Sequence, residues 1–211
     1  MCIAILLKPG AVISDGNVRA AANQNRDGGG MAYIRDGKVV IDKGYMNVEE
    51  LLKRYKEVVA EGLHKDNPML MHFRIATTGR VSNENCHPFP IGLEEGDGAL
   101  IHNGSFFSGP QHCEKSDTRV VAERVGKKFL YEPTLFAKER ISREVGAYNK
   151  VALLYNTGDY IILNEQAGAW DNGIWYSNSW FAGRAYKDDG GYVTSRCNVT
   201  PLNRYNPGAD V

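Results

Sequence analysis

The sequence has no net charge, no long hydrophobic run and no leader-like N-terminus. Basic and acidic side chains both number 25 among 211 residues, so no overall field draws the chain to nucleic acid or to an anionic membrane. The first apolar run, residues 2–7, ends at Lys8-Pro9-Gly10 and is too short for a signal-peptide core or a membrane span. We therefore expect a cytoplasmic protein with no nucleic-acid partner and no membrane partner.

The sequence has few cysteines, and their spacing does not match a metal-binding motif. The four cysteines are Cys2, Cys86, Cys113 and Cys197, and no two of them form a Cys-x-x-Cys pair. That spacing is typical of zinc sites, so no metal is expected. In a reducing compartment all four are expected to be free thiols. No organic cofactor is implied either.

The order of the predicted elements indicates an α+β layered sandwich. An apolar fraction of 43% and a charged fraction of 24% are typical of a globular domain. Apolar periodicity and turn residues predict strands at residues 2–7, 31–34, 38–42, 69–76, 99–102, 151–155, 160–164 and 174–177. Helices are predicted at residues 17–25, from Asn47, from Ser116, and from Pro133 to about Val145. Runs of strands with segregated helices favour this class over a doubly wound parallel sheet.

Cys2 has two interpretations. If Met1 is removed, Cys2 carries a thiol and a free α-amine, with pKa values of roughly 8.5 and 8. The amine could then take the proton of the thiol, which is the arrangement of a nucleophile with an N-terminal base. The alternative is a small hydrophobic residue at the start of a buried strand.

Three further positions have a functional and a structural interpretation. Arg74, on a predicted strand that ends near Gly79, suits a bidentate grip on a carboxylate or a structural salt bridge. Asn103 and Gly104 supply the donor types of an oxyanion hole, or form a plain Asn-Gly turn. Asp117, in a first helical turn, could receive an ammonium group or simply complement the helix dipole.

The order of these motifs is more specific than any one of them. Cys2 is followed by His72-x-Arg74-x-Ala76-Thr77-x-Gly79, Asn85-x-His87-Pro88, His102-Asn103-Gly104 and Ser116-Asp117-Thr118. This series resembles the glutaminase domain of the class II glutamine amidotransferases, which are N-terminal-nucleophile hydrolases. The stretch from Arg26 to Gly30 is similar to an early Arg-…-Asp-Gly-x-Gly segment of that family. The resemblance implies a four-layer αββα sandwich, assigned to residues 1–182, with residues 183–211 as a C-terminal extension rich in Gly, Asp and Asn.

The resemblance also implies a role for each matching residue. Cys2 is the nucleophile that attacks the side-chain amide of L-glutamine, and its α-amine is the general base. Asn103 and the N–H of Gly104 form the oxyanion hole. Arg74 binds the α-carboxylate and Asp117 the α-ammonium group. Thr77 and His87 line the glutamine pocket, and Arg26 gives support near the nucleophile.

The sequence departs from the family pattern at three positions. Ile75 and Thr78 stand where the aminosugar synthases have Trp and His, and Ile3 stands at a position where Gly is frequent. We therefore expect the loop that closes over glutamine to differ in this chain.

Three functions remain open on the sequence. The first is a stand-alone glutaminase that passes ammonia to a separate synthetase or ligase, since no phosphate-binding or dinucleotide motif is present. The second is a hydrolase of another γ-glutamyl or small amide substrate that needs no partner. The third is a catalytically silent binding or regulatory subunit.

Overall fold

The computed structural model describes residues 2–106, 114–125, 145–146 and 148–178. Three helices are described in these ranges: α1 (Asp15–Gln24), α2 (Val48–Ala60) and α3 (Asp117–Val125). The strands are β1 (Ile3–Leu7), β2 (Gly29–Arg35), β3 (Lys38–Tyr45), β4 (Met69–Phe73), β5 (Phe89–Ile91), β6 (Gly98–Asn103), β7 (Lys150–Tyr155), β8 (Tyr160–Leu163), β9 (Ala169–Asp171) and β10 (Ile174–Tyr176).

The strands form two antiparallel sheets. One has the order β3-β2-β4-β1-β10-β9, and the other has the order β5-β6-β7-β8. In the first sheet, β1 pairs with β4 in the register Ile3 to Phe73 and with β10 in the register Ile5 to Tyr176. The N-terminal strand is thus central in its sheet. This position explains why residues 3–7 are buried on both faces.

The two sheets pack face to face over an apolar core. Small residues at the contact, such as Ala4, Ala32, Ala99 and Ala152, allow the sheets to approach closely. The opposite face of the first sheet packs against α1 and α2, which contribute Val18, Leu51 and Tyr55. On the second sheet, α3 contacts β5. The predicted α+β class and its αββα layering are confirmed.

Helix α2 follows its sequence signals closely. The Asn47 side chain accepts a hydrogen bond from Glu49 N at 2.9 Å, which caps the helix as predicted. The periodic residues Leu51, Leu52, Tyr55 and Val58 are all buried. The prediction for α1 was displaced by two residues, because Ser14 supplies the N-cap oxygen to Asn17 N at 3.2 Å.

The glycines after α1 do more than end a helix. Gly29 and Gly30 begin β2, where neighbouring backbone comes very close. A Cβ at Gly30 would lie 2.8 Å from Lys43 Cα and would also overlap the carbonyl oxygen of His87. Only glycine allows this approach, and it brings the segment that carries His87 against the sheet.

Strand β4 is three residues shorter than predicted, for a reason that involves the site. The N–H of Ile75 points at Cys2 Sγ, 3.4 Å away, and the N–H of Ala76 donates to Asp27 Oδ2 at 2.6 Å. These two donors bind side chains and not a neighbouring strand. The ladder therefore ends at Phe73. The backbone of Arg74 still bonds to Asp27 and Gly28, and the chain from Ile75 onward forms a loop.

Two predictions fall outside the described residues: the helix from Pro133, of which only Val145 is described, and the extension at residues 183–211. In the part of the chain that the structure describes, no helix combines the length and apolarity that a bilayer crossing requires.

Candidate active site

The Cys2 thiol is held against the segment that follows β4. Its Sγ lies 3.3 Å from Ile75 O, to which it donates, and 3.4 Å from Ile75 N. The antiparallel pairing of β1 with β4 brings these residues together. Burial raises the pKa of the Cys2 thiol, an effect that the hydrogen bond with Ile75 and the charge of Arg74 partly offset. The resting group is therefore a protonated thiol at neutral pH, and a base is needed to generate the nucleophile.

Arg74 is buried and organises its own loop. Its Nη1 donates to Arg80 O at 3.1 Å, and its Nη2 donates to Thr78 O at 2.7 Å and to Gly79 O at 3.3 Å. These bonds use three of the five N–H donors of the guanidinium group, so two are left for a ligand. Thr77 lies on the same loop with an exposed side chain.

Asn103 is linked to the first residues of β1 through Ser177. The Nδ2 of Asn103 donates to Ser177 Oγ at 2.9 Å, and the same oxygen accepts from Ala4 N at 2.9 Å. Asn178 Nδ2 in turn donates to Cys2 O at 2.8 Å. The end of β10 thus joins the predicted nucleophile to the predicted oxyanion residue. Sequence reasoning missed Ser177 and Asn178, because no motif marks them and only the pairing of β1 with β10 brings them here.

Gly104 packs closely against Asn149, a residue that the sequence analysis did not identify. It has φ of +151°, and a Cβ there would overlap Asn149 Oδ1 and lie 2.9 Å from both Asn149 Cγ and His102 Nε2. Asn149 is itself fixed, since its Nδ2 donates to Val145 O at 2.7 Å and its Oδ1 lies 2.8 Å from His102 Nε2. The close packing of Gly104 against Asn149 and His102 therefore leaves no room for a side chain at the residue after Asn103.

Asp117 connects α3 to the loop after β6. Its Oδ2 accepts from Phe106 N at 2.8 Å and its Oδ1 from Thr118 N at 2.7 Å. Phe106 also stacks on the His102 ring, with centroids 3.9 Å apart. Thr118 Oγ1 adds a longer bond to Asp117 Oδ1 at 3.3 Å. A carboxylate offers about four acceptor positions, so these three bonds still leave room for a cationic group. The charge of Asp117 also acts on the Cys2 thiol, whose pKa it raises.

His87 lies among buried histidines. Its Nδ1 is 2.7 Å from His72 Nε2, which is 2.9 Å from His102 O. The His102 ring is held by Thr118 Oγ1 at 2.8 Å as well as by Asn149. Burial lowers the pKa of His72 to about 3 and that of His102 to about 4, and it holds the pKa of His87 well below its ordinary value. All three rings are neutral at pH 7 and act as hydrogen-bonding groups.

The side chains of Arg26 and Asp27 lie in different surroundings. Arg26 is exposed, and its Nε donates to Asn23 O at 3.0 Å. It lines a cavity of about 340 Å³ between α1, α2 and the start of β2, and Cys2 is not part of that lining. Asp27, by contrast, accepts from Ala76 N at 2.6 Å, two residues beyond Arg74. The supporting role of Arg26 near the nucleophile stays a prediction.

The structure thus brings Cys2, Arg74, Asn103, Gly104 and Asp117 into one connected region through these bonds. Thr77 lies at its exposed edge, and His87 lies beneath it. Among the described residues, no group of three or more His, Cys, Asp or Glu side chains is arranged to hold a metal ion.

Comparison with known proteins identifies the family. The family described as "Glutamine amidotransferases class-II" matches residues 14–123, just over half of the chain. A curated relative, glutamine–fructose-6-phosphate aminotransferase (isomerizing) from Aquifex aeolicus (strain VF5), is 29% identical over an alignment of 119 residues. That alignment covers 49% of this chain and 18% of the relative.

Two solved structures share the fold. One is glutamine phosphoribosylpyrophosphate amidotransferase from B. subtilis complexed with ADP and GMP, with a TM-score of 0.54 and 17% identity. The other is described as the allosteric regulatory enzyme of purine biosynthesis, with a TM-score of 0.55 and 17% identity. Each likeness covers 83% of this chain and 41% of the solved chain, so this chain spans less than half the length of the proteins it matches. The fold is that of the N-terminal-nucleophile amidotransferases, and the family match shows that this chain belongs to the class II glutamine amidotransferases, enzymes that use an N-terminal cysteine nucleophile.

Proposed function

We propose that this chain hydrolyses the side-chain amide of L-glutamine to glutamate and ammonia through a thioester on Cys2, and that the ammonia passes to an acceptor on a separate synthetase or ligase. The observation that carries the proposal is the position of the thiol. Cys2 Sγ contacts the residue next to Arg74, and Cys2 belongs to the same hydrogen-bonded region as Asn103. The charges of Arg74 and Asp117 both act on the thiol.

The first chemical step is proton transfer from the thiol. Because burial raises its pKa, the thiol does not ionise on its own at neutral pH. Once Met1 is removed, the α-amine of Cys2 is a base with a pKa of roughly 8. It belongs to the same residue as the thiol. It takes the thiol proton directly or through one water, and Sγ attacks the carbonyl carbon of the amide.

The second step develops negative charge on the amide oxygen. The N–H of Gly104 and the Nδ2 of Asn103 are the donors proposed to stabilise it. Asn103 Nδ2 uses one hydrogen for Ser177 and keeps the other for substrate. The α-ammonium of Cys2 then gives its proton to the amide nitrogen, the C–N bond breaks and ammonia leaves, and water hydrolyses the remaining thioester to glutamate and the free thiol.

Recognition of the amino-acid end is assigned to Arg74 and Asp117. The two unused N–H donors of Arg74 suit a carboxylate. The Asp117 carboxylate, already bound by Phe106 N and Thr118 N, has acceptor capacity left for an ammonium group. A free α-amino acid presents both groups on one carbon, which favours glutamine over an amide without that end.

The test is intact-mass spectrometry of the purified chain before and after incubation with a diazo-ketone analogue of glutamine, together with an assay of ammonia release. We expect loss of Met1, one covalent adduct that maps to Cys2, and equal amounts of glutamate and ammonia from glutamine. The Cys2→Ser variant serves as the control and should form no adduct. A chain that has lost Met1 but gives neither adduct nor ammonia would contradict the proposal. An adduct without turnover of glutamine would favour a different γ-glutamyl amide as substrate.

The transfer to a separate acceptor is tested with glutamine that carries an isotopic label in its amide nitrogen. In an extract of the source cell, the chain should place the label in an organic product, whereas the purified chain alone should release it as ammonia. Label found only in free ammonia under both conditions would indicate a glutaminase that has no partner.

A further inference from the structure

Asn85 is a fully buried amide whose hydrogen-bonding capacity is satisfied by three separate backbone groups. It ends a short 3₁₀ helix, Asn83–Asn85, and its exposed fraction is 0%. Its Nδ2 donates to Arg80 O at 3.0 Å and to Glu114 O at 2.7 Å, and its Oδ1 accepts from Ser116 N at 3.0 Å. The reverse orientation would set an oxygen against two carbonyls, so the network fixes the orientation of the amide. A buried amide bonded in this way locks the segments that it joins.

One of these bonds leads to Arg74. The carbonyl of Arg80 accepts both from Asn85 Nδ2 and from Arg74 Nη1, the latter at 3.1 Å. The position of this carbonyl therefore determines where the guanidinium group lies. Besides Asn85, an exposed ion pair with Glu114 links Arg80 to the segment before α3, and exposed pairs contribute little.

The other bonds lead to Asp117. Ser116 is the N-cap residue of α3, since its Oγ accepts from Arg119 N at 3.2 Å. Asn85 Oδ1 holds the N–H of Ser116, directly before Asp117, while Asn85 Nδ2 holds the carbonyl of Glu114. The start of α3, and with it the Asp117 carboxylate, is thus anchored to the same side chain as the Arg74 loop.

The two segments also touch directly, which shows that their spacing is tight. Gly79 has φ of +68°, and a Cβ there would lie 2.5 Å from both Lys115 C and Ser116 N. The Arg74 loop therefore rests on the backbone before α3. A small change in the Asn85 bridge would change the separation of Arg74 and Asp117.

We propose that Asn85 is a positioning residue that sets the distance between Arg74 and Asp117, and so determines selectivity for substrates with a free α-amino-acid end. The proposal rests on the proposed function, in which Arg74 receives the α-carboxylate and Asp117 the α-ammonium group. Asn85 does not touch the reacting atoms. Its loss should weaken reactions that use the amino-acid end and should leave the intrinsic reactivity of the Cys2 thiol unchanged.

The experiment compares two reagents that modify Cys2. The first is the diazo-ketone analogue of glutamine, which carries the α-carboxylate and α-ammonium groups. The second is iodoacetamide, which carries neither. The rate constant for each is measured by peptide mapping of Cys2 in the full chain. The variants are Asn85→Ala and Asn85→Asp, of which the second keeps the size of the side chain and the acceptor for Ser116 N but turns a charged oxygen toward the carbonyls of Arg80 and Glu114.

Tyr55→Phe is the matched control. The Tyr55 hydroxyl accepts a buried hydrogen bond from Ile13 N at 3.0 Å in the layer of α1 and α2, so its removal tests a comparable loss of a buried polar contact away from the site. It should leave both rate constants as in the unchanged chain.

For Asn85→Ala we expect the rate constant of the diazo-ketone to fall about tenfold or more, because misplacement of binding groups by a fraction of an ångström has effects of this size. The iodoacetamide rate should stay within about twofold. Asn85→Asp should likewise slow the diazo-ketone reaction and leave the iodoacetamide reaction nearly unchanged. If Asn85→Ala does not fold, the proposal is judged from Asn85→Asp. Equal slowing with both reagents, or no change with either, would overturn the proposal. A chain whose Cys2 reacts with iodoacetamide but never with the diazo-ketone, even unmutated, would overturn the proposed function and this inference with it.

Discussion

Cys2 Sγ lies 3.4 Å from Ile75 N and 3.3 Å from Ile75 O, so the thiol is held by the residue that directly follows Arg74. The antiparallel pairing of β1 and β4 produces this contact. Because Ile3 stands opposite Phe73, the residue before Ile3 lies beside the residues that follow Phe73. The expected nucleophile and the expected carboxylate-binding residue are therefore positioned by the same few backbone atoms. A substrate bound at Arg74 has its distance to the sulfur fixed by the sheet.

The first prediction concerns Asn103. We expect Asn103→Ala to lower kcat by about 100-fold or more, because loss of one oxyanion donor typically has this effect. Ser177→Ala is the comparison: it keeps the Asn103 side chain but removes the acceptor of both Asn103 Nδ2 and the buried Ala4 N. It should therefore lower stability by about 1–3 kcal/mol and lower kcat less than Asn103→Ala does. Steady-state kinetics and urea unfolding measure the two effects. Near-normal turnover in Asn103→Ala would contradict the oxyanion assignment.

The second prediction concerns Gly104. An added methyl group would overlap Asn149 Oδ1, so Gly104→Ala should turn the backbone N–H away from the oxyanion position. We expect kcat to fall by about 100-fold, measured as ammonia release at saturating glutamine. The double variant Gly104→Ala with Asn149→Gly removes the overlapping side chain and should recover part of the loss. Activity in Gly104→Ala equal to that of the unchanged chain would show that this N–H takes no part.

The third prediction separates binding from chemistry. Arg74→Lys replaces a planar fork by a point charge and loses the loop bonds to Thr78 O and Gly79 O. Asp117→Asn keeps the volume but removes the charge. Both should raise KM for glutamine by about tenfold or more, which corresponds to the loss of about 1.4 kcal/mol of binding. The iodoacetamide reaction of Cys2 serves as the check on the thiol. A fall in kcat at unchanged KM would show that these residues do not bind the amino-acid end.

The fourth prediction concerns pH. The pKa values of His72, His87 and His102 are all lowered by burial. At these three residues the unfolded chain therefore binds more protons than the folded chain as the pH falls from about 6.5 toward the lowered pKa values of the folded state. The stabilisation that comes from their neutral forms is complete above that pH and is lost as the pH falls. Between pH 7 and 5.5 the free energy of unfolding should drop by about 1 kcal/mol for each histidine. Urea unfolding at the two pH values measures it, and an unchanged free energy would show that the rings are not buried in the neutral form.

Several features could be predicted from local sequence because local physics determines them. Residues 2–7 are apolar on both faces and form a central strand. Helix α2 has an N-cap at Asn47 and a periodic apolar face, and both are seen. Along β4, Met71 lies on the helical side of the sheet and Leu70 lies between the two sheets, as the alternation of side chains along a strand requires. The predicted end of β4 was wrong, because the donors of Ile75 and Ala76 bind the side chains of Cys2 and Asp27, which are distant in sequence.

By itself, the sequence determined the α+β class, most of the elements, and the residue types and order by which the family is identified. The tertiary structure decided which of those residues meet. Ser177 reaches Asn103 because β10 lies beside β1, Asn149 faces Gly104 because β7 lies beside β6, and Asn85 bridges Arg80 to Ser116 across two loops. Apart from the local bond between Asn85 and Arg80, these hydrogen bonds join residues 31 to 74 positions apart. Hydrogen bonds over such separations depend on how the sheets pair and stack, and no local pattern in the sequence encodes that.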